Sequence, residues 1–128
     1  QKEPFINELA ARVDALLHLA IEAELATPPS APTDGQAWLV APSPSGDWTG
    51  QAGLIAARTA GNWLFFAPIA GMTLLNKANG QQLRFVTTWQ SPAKPALPAG
   101  GSTIDTEARS TISAIVAAMV VAGIVPAN

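Results

Sequence analysis

The chain has no cysteine, only one histidine and few charges. Each scarcity closes a class of chemistry. Without cysteine there is no disulfide, no thiolate nucleophile and no sulfur-ligated metal, and the redox compartment leaves no trace in the sequence. His18 alone leaves imidazole triads and histidine metal sites almost without members. Charged residues make up 12% of the 128, about half the ~25% usual for a soluble domain. Ser, Thr, Gln, Asn, Gly and Pro must then cover the surface, or other subunits must. A net charge of −2 offers no basic footprint to nucleic acid or to an anionic membrane. Gln1-Lys2-Glu3-Pro4 is not followed by the apolar run of a signal peptide, and the missing initiator Met implies a trimmed chain.

What is present has clear periodicity. Ile6, Leu9, Val13, Leu16 and Leu17 fall on one helical stripe, with Pro4 suited to the first turn, so a helix is expected over 4–17 within an N-terminal docking or oligomerisation segment, 1–17. From Leu19 to Leu25 the period becomes two, which predicts a half-buried strand. After Asp34-Gly35 come short apolar runs at roughly 36–41, 52–59, 62–67, 71–77 and 81–89. Asn79-Gly80 predicts a two-residue type I′ hairpin turn, and Leu83, Phe85, Thr87 and Trp89 should share a face. The fold class is therefore α+β. About six strands form a small antiparallel meander over 18–90, rolled or barrel-like.

Residues 91–101 hold three prolines and read as a semi-rigid linker of at most ~34 Å. The closing segment, 102–128, should contain a helix from Asp105 to Ala122, with Thr103 or Asp105 as N-cap and Gly123 and Pro126 as stop signals. Ile112, Ile115, Val116, Met119 and Val120 form its apolar stripe, and no polar side chain occurs from Ala114 to Val125. A helix apolar all round is buried, yet twelve residues cannot span a bilayer. Copies of the same helix are the simplest cover. These five residues are the expected oligomer interface.

Enzymatic machinery is not expected. No G-x-S-x-G elbow accompanies His18, which has Asp14 four residues earlier and reads as structural. Glu22 and Glu24 share a strand face but read as a solvated edge rather than a glycosidase pair. No calcium loop and no phosphate-cradling glycine loop is present, so neither metal nor cofactor is expected. Aromatics remain. Trp38 and Trp63 read as core, whereas Trp48, directly after Pro-Ser-Pro-Ser-Gly-Asp, is the tryptophan expected at the surface. There it would stack on a sugar, with Asp47 and Asn62 bonding its hydroxyls.

Gln1-Lys2-Glu3, Asn7-Glu8-Leu9-Ala10 and Val13-Asp14-Ala15-Leu16 are followed by Pro28-Pro29, Pro32 and Gly35. Two further units are Gly46-Asp47-Trp48-Thr49-Gly50 and Gly61-Asn62-Trp63-Leu64-Phe65, the latter with Pro68 and Gly71. Together they resemble an uncharacterised domain of alphaproteobacterial prophages and gene transfer agents. The likeness covers nearly the whole chain. It departs at Met72, where the family usually has Trp after Gly, and at Pro4-Phe5-Ile6.

The resemblance implies a non-enzymatic particle component: a head-spike, tail-fibre or baseplate-associated protein. It would be located on the virion or gene-transfer-agent particle, be assembled in the bacterial cytoplasm and contact other particle proteins. A homo-oligomer is expected, three copies by the analogy with spikes. The alternative reading is a carbohydrate-binding module for host surface polysaccharide. Neither nucleic-acid binding nor membrane insertion is expected.

Overall fold

The computed structural model describes residues 3–127. Gln1, Lys2 and the side chain of Asp14, which the sequence placed near His18, lie outside the described residues. The element order is α1 (Glu3–Leu17), β1 (Ala20–Ile21), β2 (Glu24–Leu25), β3 (Ala37–Val40), β4 (Ile55–Thr59), β5 (Asn62–Phe66), β6 (Thr73–Asn76), β7 (Gln81–Phe85), β8 (Trp89–Gln90) and α2 (Thr106–Val121). The α+β class stands. Eight short strands form two four-stranded sheets, in the orders β1-β6-β7-β8 and β2-β3-β4-β5. The two do not close into a barrel.

The expected single strand over 19–25 is two strands that serve different sheets. β1 pairs with β6 and β2 with β3, both parallel, so the architecture is not a pure antiparallel meander. Leu19 and Ile21 accept backbone hydrogen bonds from Leu75 and Lys77, while Ala23 and Leu25 accept from Leu39 and Ala41. One continuous segment thus joins the sheets along one side. The period-two pattern signalled extended chain correctly but carries no information about which sheet each half joins.

Large and small residues alternate so that both faces of the β2–β5 sheet are filled. Ala37, Leu39, Ile55, Ala57 and Phe66 point inward against Ile21, Leu74 and Leu83 of the other sheet. On the outer face, Trp38, Val40 and Ala56 meet Trp48, with Ala23, Leu25, Trp63 and Phe65 around them. Ala56 lies between Trp38 and Phe65 in register. Alanine is a weak strand former, but at this position a larger side chain would collide with the indole.

Hairpin chemistry falls differently from expectation. Asn76 pairs with Gln81, so the β6–β7 loop has four residues and only Gly80 (φ +69°) takes a positive φ within it. Asn76 and Asn79 instead use their side-chain oxygens to accept the amides of Ala78 and Gln81. The two-residue turn is Ala60-Gly61, between paired Thr59 and Asn62, with φ +48° and +75°. Both central residues are left-handed, as a type I′ turn requires. The 81–89 run is likewise broken: the chain reverses at 86–88, so Trp89 lies opposite Phe85 instead of following it along one strand.

The C-terminus is fastened to this β body. Asp105 caps α2 by accepting the amide of Ala108 at 2.8 Å. At the other end, Gly123 donates to Val120 O and Ile124 to Met119 O, the paired bonds of a Schellman close. Gly123 O then accepts the Gln82 amide at 2.7 Å. The buried Gln81 amide donates to Pro92 O (2.6 Å) and Ile124 O (3.0 Å). Residues 91–101 contain no helix or strand, and they are pinned as well as extended, since Arg109 donates to Pro98 O and Gly100 O.

Two substitutions test this reading of the backbone. Ala60→Asn should stabilise the protein by about 1 kcal/mol, because alanine is strained in the left-handed region and asparagine is not. Gly123→Ala should cost at least about 1–2 kcal/mol. Its Cβ would stand 3.2 Å from Gly80 O at φ +69°. Denaturant unfolding monitored by tryptophan fluorescence measures both.

Candidate functional site

The two Gly-x-Trp units do converge. Trp48 and Trp63 have ring centroids 5.1 Å apart at 78°, and Trp38 lies 5.6 Å from Trp63 and 6.3 Å from Trp48. Edge-to-face pairs of this kind add stabilisation beyond the area they bury. The Arg58 guanidinium sits 5.0 Å from the Trp63 ring centroid, closing the open side of that indole with a cation–π contact.

Trp48 is 0% exposed, so the surface position expected for it is wrong. The preceding residues explain why. Ser43 (φ +57°) and Gly46 (φ +61°) turn the chain back over the sheet, and Gly46–Trp48 forms a single 3₁₀ turn. The Ser45 amide donates to Ala26 O, and the Ser45 hydroxyl lies 2.9 Å from that of Thr27. Loop polarity signalled exposure, but the loop is a cover whose underside carries the indole. Its Nε1 is buried without a hydrogen-bond partner among the described residues.

Asp47 and Asn62 are exposed. The Asn62 amide is engaged locally, donating to Ala60 O at 3.1 Å. No stacking tryptophan accompanies this pair, so the predicted constellation of Trp48, Asp47 and Asn62 is not assembled as a sugar platform.

Sequence reasoning missed a cleft at one end of the space between the sheets. Its volume is ≈530 Å³, and Leu39, Leu54, Pro68, Leu83, Phe85 and Trp89 supply much of its apolar wall. Trp89 is oriented by an Nε1 bond to Gly53 O (3.2 Å) and an edge contact with Phe85 at 5.3 Å. Glu24 stands at the rim with Thr87, Thr88 and Ser91, and by register it shares a face with Leu39. The shared face of Leu83 and Phe85 was a visible signal. The chain reversal that brings in Trp89 was not.

Glu22 is ion-paired with Lys77 at 2.6 Å, and Glu24 has no ion pair among the described residues. Exposed His18 borders a second groove of ≈460 Å³ with Leu16, Leu17, Thr73 and Gln82. Among the described residues, no three His, Asp or Glu side chains approach one another closely enough to hold a metal. Among the described residues, no helix is long and apolar enough to cross a membrane.

Both helices carry exposed apolar side chains. On α1, Phe5, Ile6, Leu9, Val13, Leu16 and Leu17 are 40–74% exposed. On α2 the expected stripe is divided. Val116 is buried, Met119 and Val120 are partly buried, and Ile112 and Ile115 are exposed. Val116 is therefore taken up within the chain, while the opposite side, including Val121 at 89%, is open.

Residues 6–90 match the family model DUF2793, a protein family of unknown function, and the chain belongs to that family. No curated protein matches the sequence. The matched span takes in α1 from Ile6 onward and the eight strands, and ends before α2.

The buried position of Trp48 has a measurable consequence. Trp48→Ala should cost about 3–5 kcal/mol, as expected for truncating a buried aromatic. Trp48→Phe should cost less than half as much, since it also removes the unpartnered N–H. Equilibrium unfolding of both variants decides between this position and a surface one, where neither change would move stability.

Proposed function

We propose that this protein is a non-enzymatic structural component that works as a homo-oligomer, and that the particle of a phage or gene transfer agent is its setting. One observation carries the assembly role: both helices present apolar side chains to solvent on a chain with few charges. A folded domain rarely leaves contiguous apolar surface uncovered unless a partner takes it. The particle setting, as a spike, fibre or baseplate-associated protein, is supported by the sequence resemblance, and so is a copy number of three. Other particle proteins are the partners this setting supplies.

A host glycan is the second reading, and the specific observation favouring it is the Trp89–Phe85 cleft with Glu24 and hydroxyls at its rim. That site replaces the 43–50 loop as the place where a sugar would bind, because Trp48 is enclosed.

Assembly is tested on the full chain by multi-angle light scattering. The expected mass is a multiple of 13.2 kDa, and a monomer at every micromolar concentration would refute the role. Ile115→Asp with Val121→Asp lowers the mass if the open side of α2 is a contact and leaves it unchanged if the contact lies elsewhere, in either case without altering the melting temperature. Both residues are exposed, so losing their side chains costs the isolated fold little. Deleting α2 is a poorer test, since residues 123–127 are bonded to the β6–β7 hairpin and to Lys94.

A further inference from the structure

Four exposed residues of α1 follow a stricter rule than amphipathicity. Ile6, Leu9, Val13 and Leu16 are spaced three, four and three apart, the a and d positions of two heptads. Both a positions are β-branched and both d positions are leucine. In parallel coiled coils that choice favours two strands, because the side chains at a and d meet the partner's helix at different packing angles. We infer that α1 pairs in parallel, and in register, with α1 of a second copy of this chain. The inference rests on the homo-oligomer reading and specifies which helix forms the contact, in what orientation and in what number.

The flanking positions agree with this occupant. Phe5 and Arg12 take g, and Ala10 and Leu17 take e. Across a parallel pair Phe5 then meets Ala10 and Arg12 meets Leu17, so no like charges oppose one another. Leu17 and Phe5, 68% and 74% exposed, widen the seam at its two ends. Along the helix, Arg12 and Glu8 form an i,i+4 ion pair at 2.7 Å, which supports the helix itself. Arg12 also lies 5.7 Å from the Phe66 ring centroid, so the helix can carry its stripe outward while this side chain rests on the β body.

Area sets the strength. Six apolar side chains of about 100 Å² each give roughly 600 Å² per copy, somewhat below the ~800 Å² per partner of a standard stable interface. A pair held by two heptads therefore dissociates on dilution. The count of three implied by the resemblance is not what these residues specify. Ile at both a and d would favour three strands or more, and the d positions are leucine.

The test uses the full chain, whose lack of cysteine makes any introduced thiol a clean reporter. Ile6→Cys and Leu16→Cys are made as separate single variants and oxidised mildly. A parallel, in-register pair cross-links each variant with itself, because Cα atoms at matched core positions lie within disulfide reach. An antiparallel pair would cross-link only a mixture of the two variants, 6 to 16, and that result overturns the inference. Sedimentation velocity of the unmodified chain should show a dimer that dissociates on dilution. Leu9→Glu with Val13→Glu should abolish it while leaving tryptophan fluorescence unchanged. Leu9→Ile with Val13→Ile and Leu16→Ile should raise the copy number to three or more, a change that a purely structural helix would not produce. If the glutamate variant keeps the parental mass, α1 is not the contact and the oligomer is held elsewhere. If the parental chain is a monomer throughout, the assembly reading fails together with this one.

Discussion

The β2–β5 sheet is buried on both faces, and the rest of the structure follows from that constraint. A sheet with one wet face needs only one partner layer. This one needs two. The second layer is instead a loop, 41–54, held down by the Trp48 indole and by backbone bonds to β2 and β3. The three packed tryptophans, Trp38, Trp48 and Trp63, are what makes so thin a cover adequate, because each buries a large area at the cost of few ordered side-chain torsions.

That arrangement explains which features were legible in the sequence. Both helices, the Asp105 cap of α2 and the approximate runs of extended chain follow from periodicity and from Gly, Pro and Asp signals that act locally. Trp63 and Phe65 lie on one face of β5 and Leu64 and Phe66 on the other, the alternation of an ordinary strand. What could not be read was which side of a strand faces air and which faces another part of the chain. Trp48 was expected at the surface because its neighbours are polar turn residues, and local polarity does not report that a loop is folded back. The division of 19–25 between two sheets, and the meeting of Phe85 with Trp89 in the cleft, depend on long-range pairing for which period two is silent. Asn79-Gly80 marked a real hairpin, but the loop around it also has to receive the C-terminal tail. Ala60-Gly61, a poorer match to turn statistics, adopts the tight geometry because Asp34 holds it by accepting the Gly61 amide.

The same economy governs the C-terminus. Gln81 is buried and polar, an arrangement that is costly unless its hydrogen bonds are made. Its amide finds carbonyls in two segments distant in sequence, at Pro92 and Ile124, so a single side chain couples the hairpin, the proline-rich segment and the tail of α2. This leaves one side of α2 committed to the domain and the other available, which is why a helix with no polar residue over its last two turns can coexist with a folded monomeric body.

The segment from Leu19 to Leu25 gives the domain a mechanical character. Any tension transmitted through α1 enters the fold along this one stretch of backbone, which is hydrogen-bonded to β6 in its first half and to β3 in its second. A pull directed along these strands acts across their bonds in shear instead of peeling them one at a time. The domain would resist such a load as a single unit until both sheets yield.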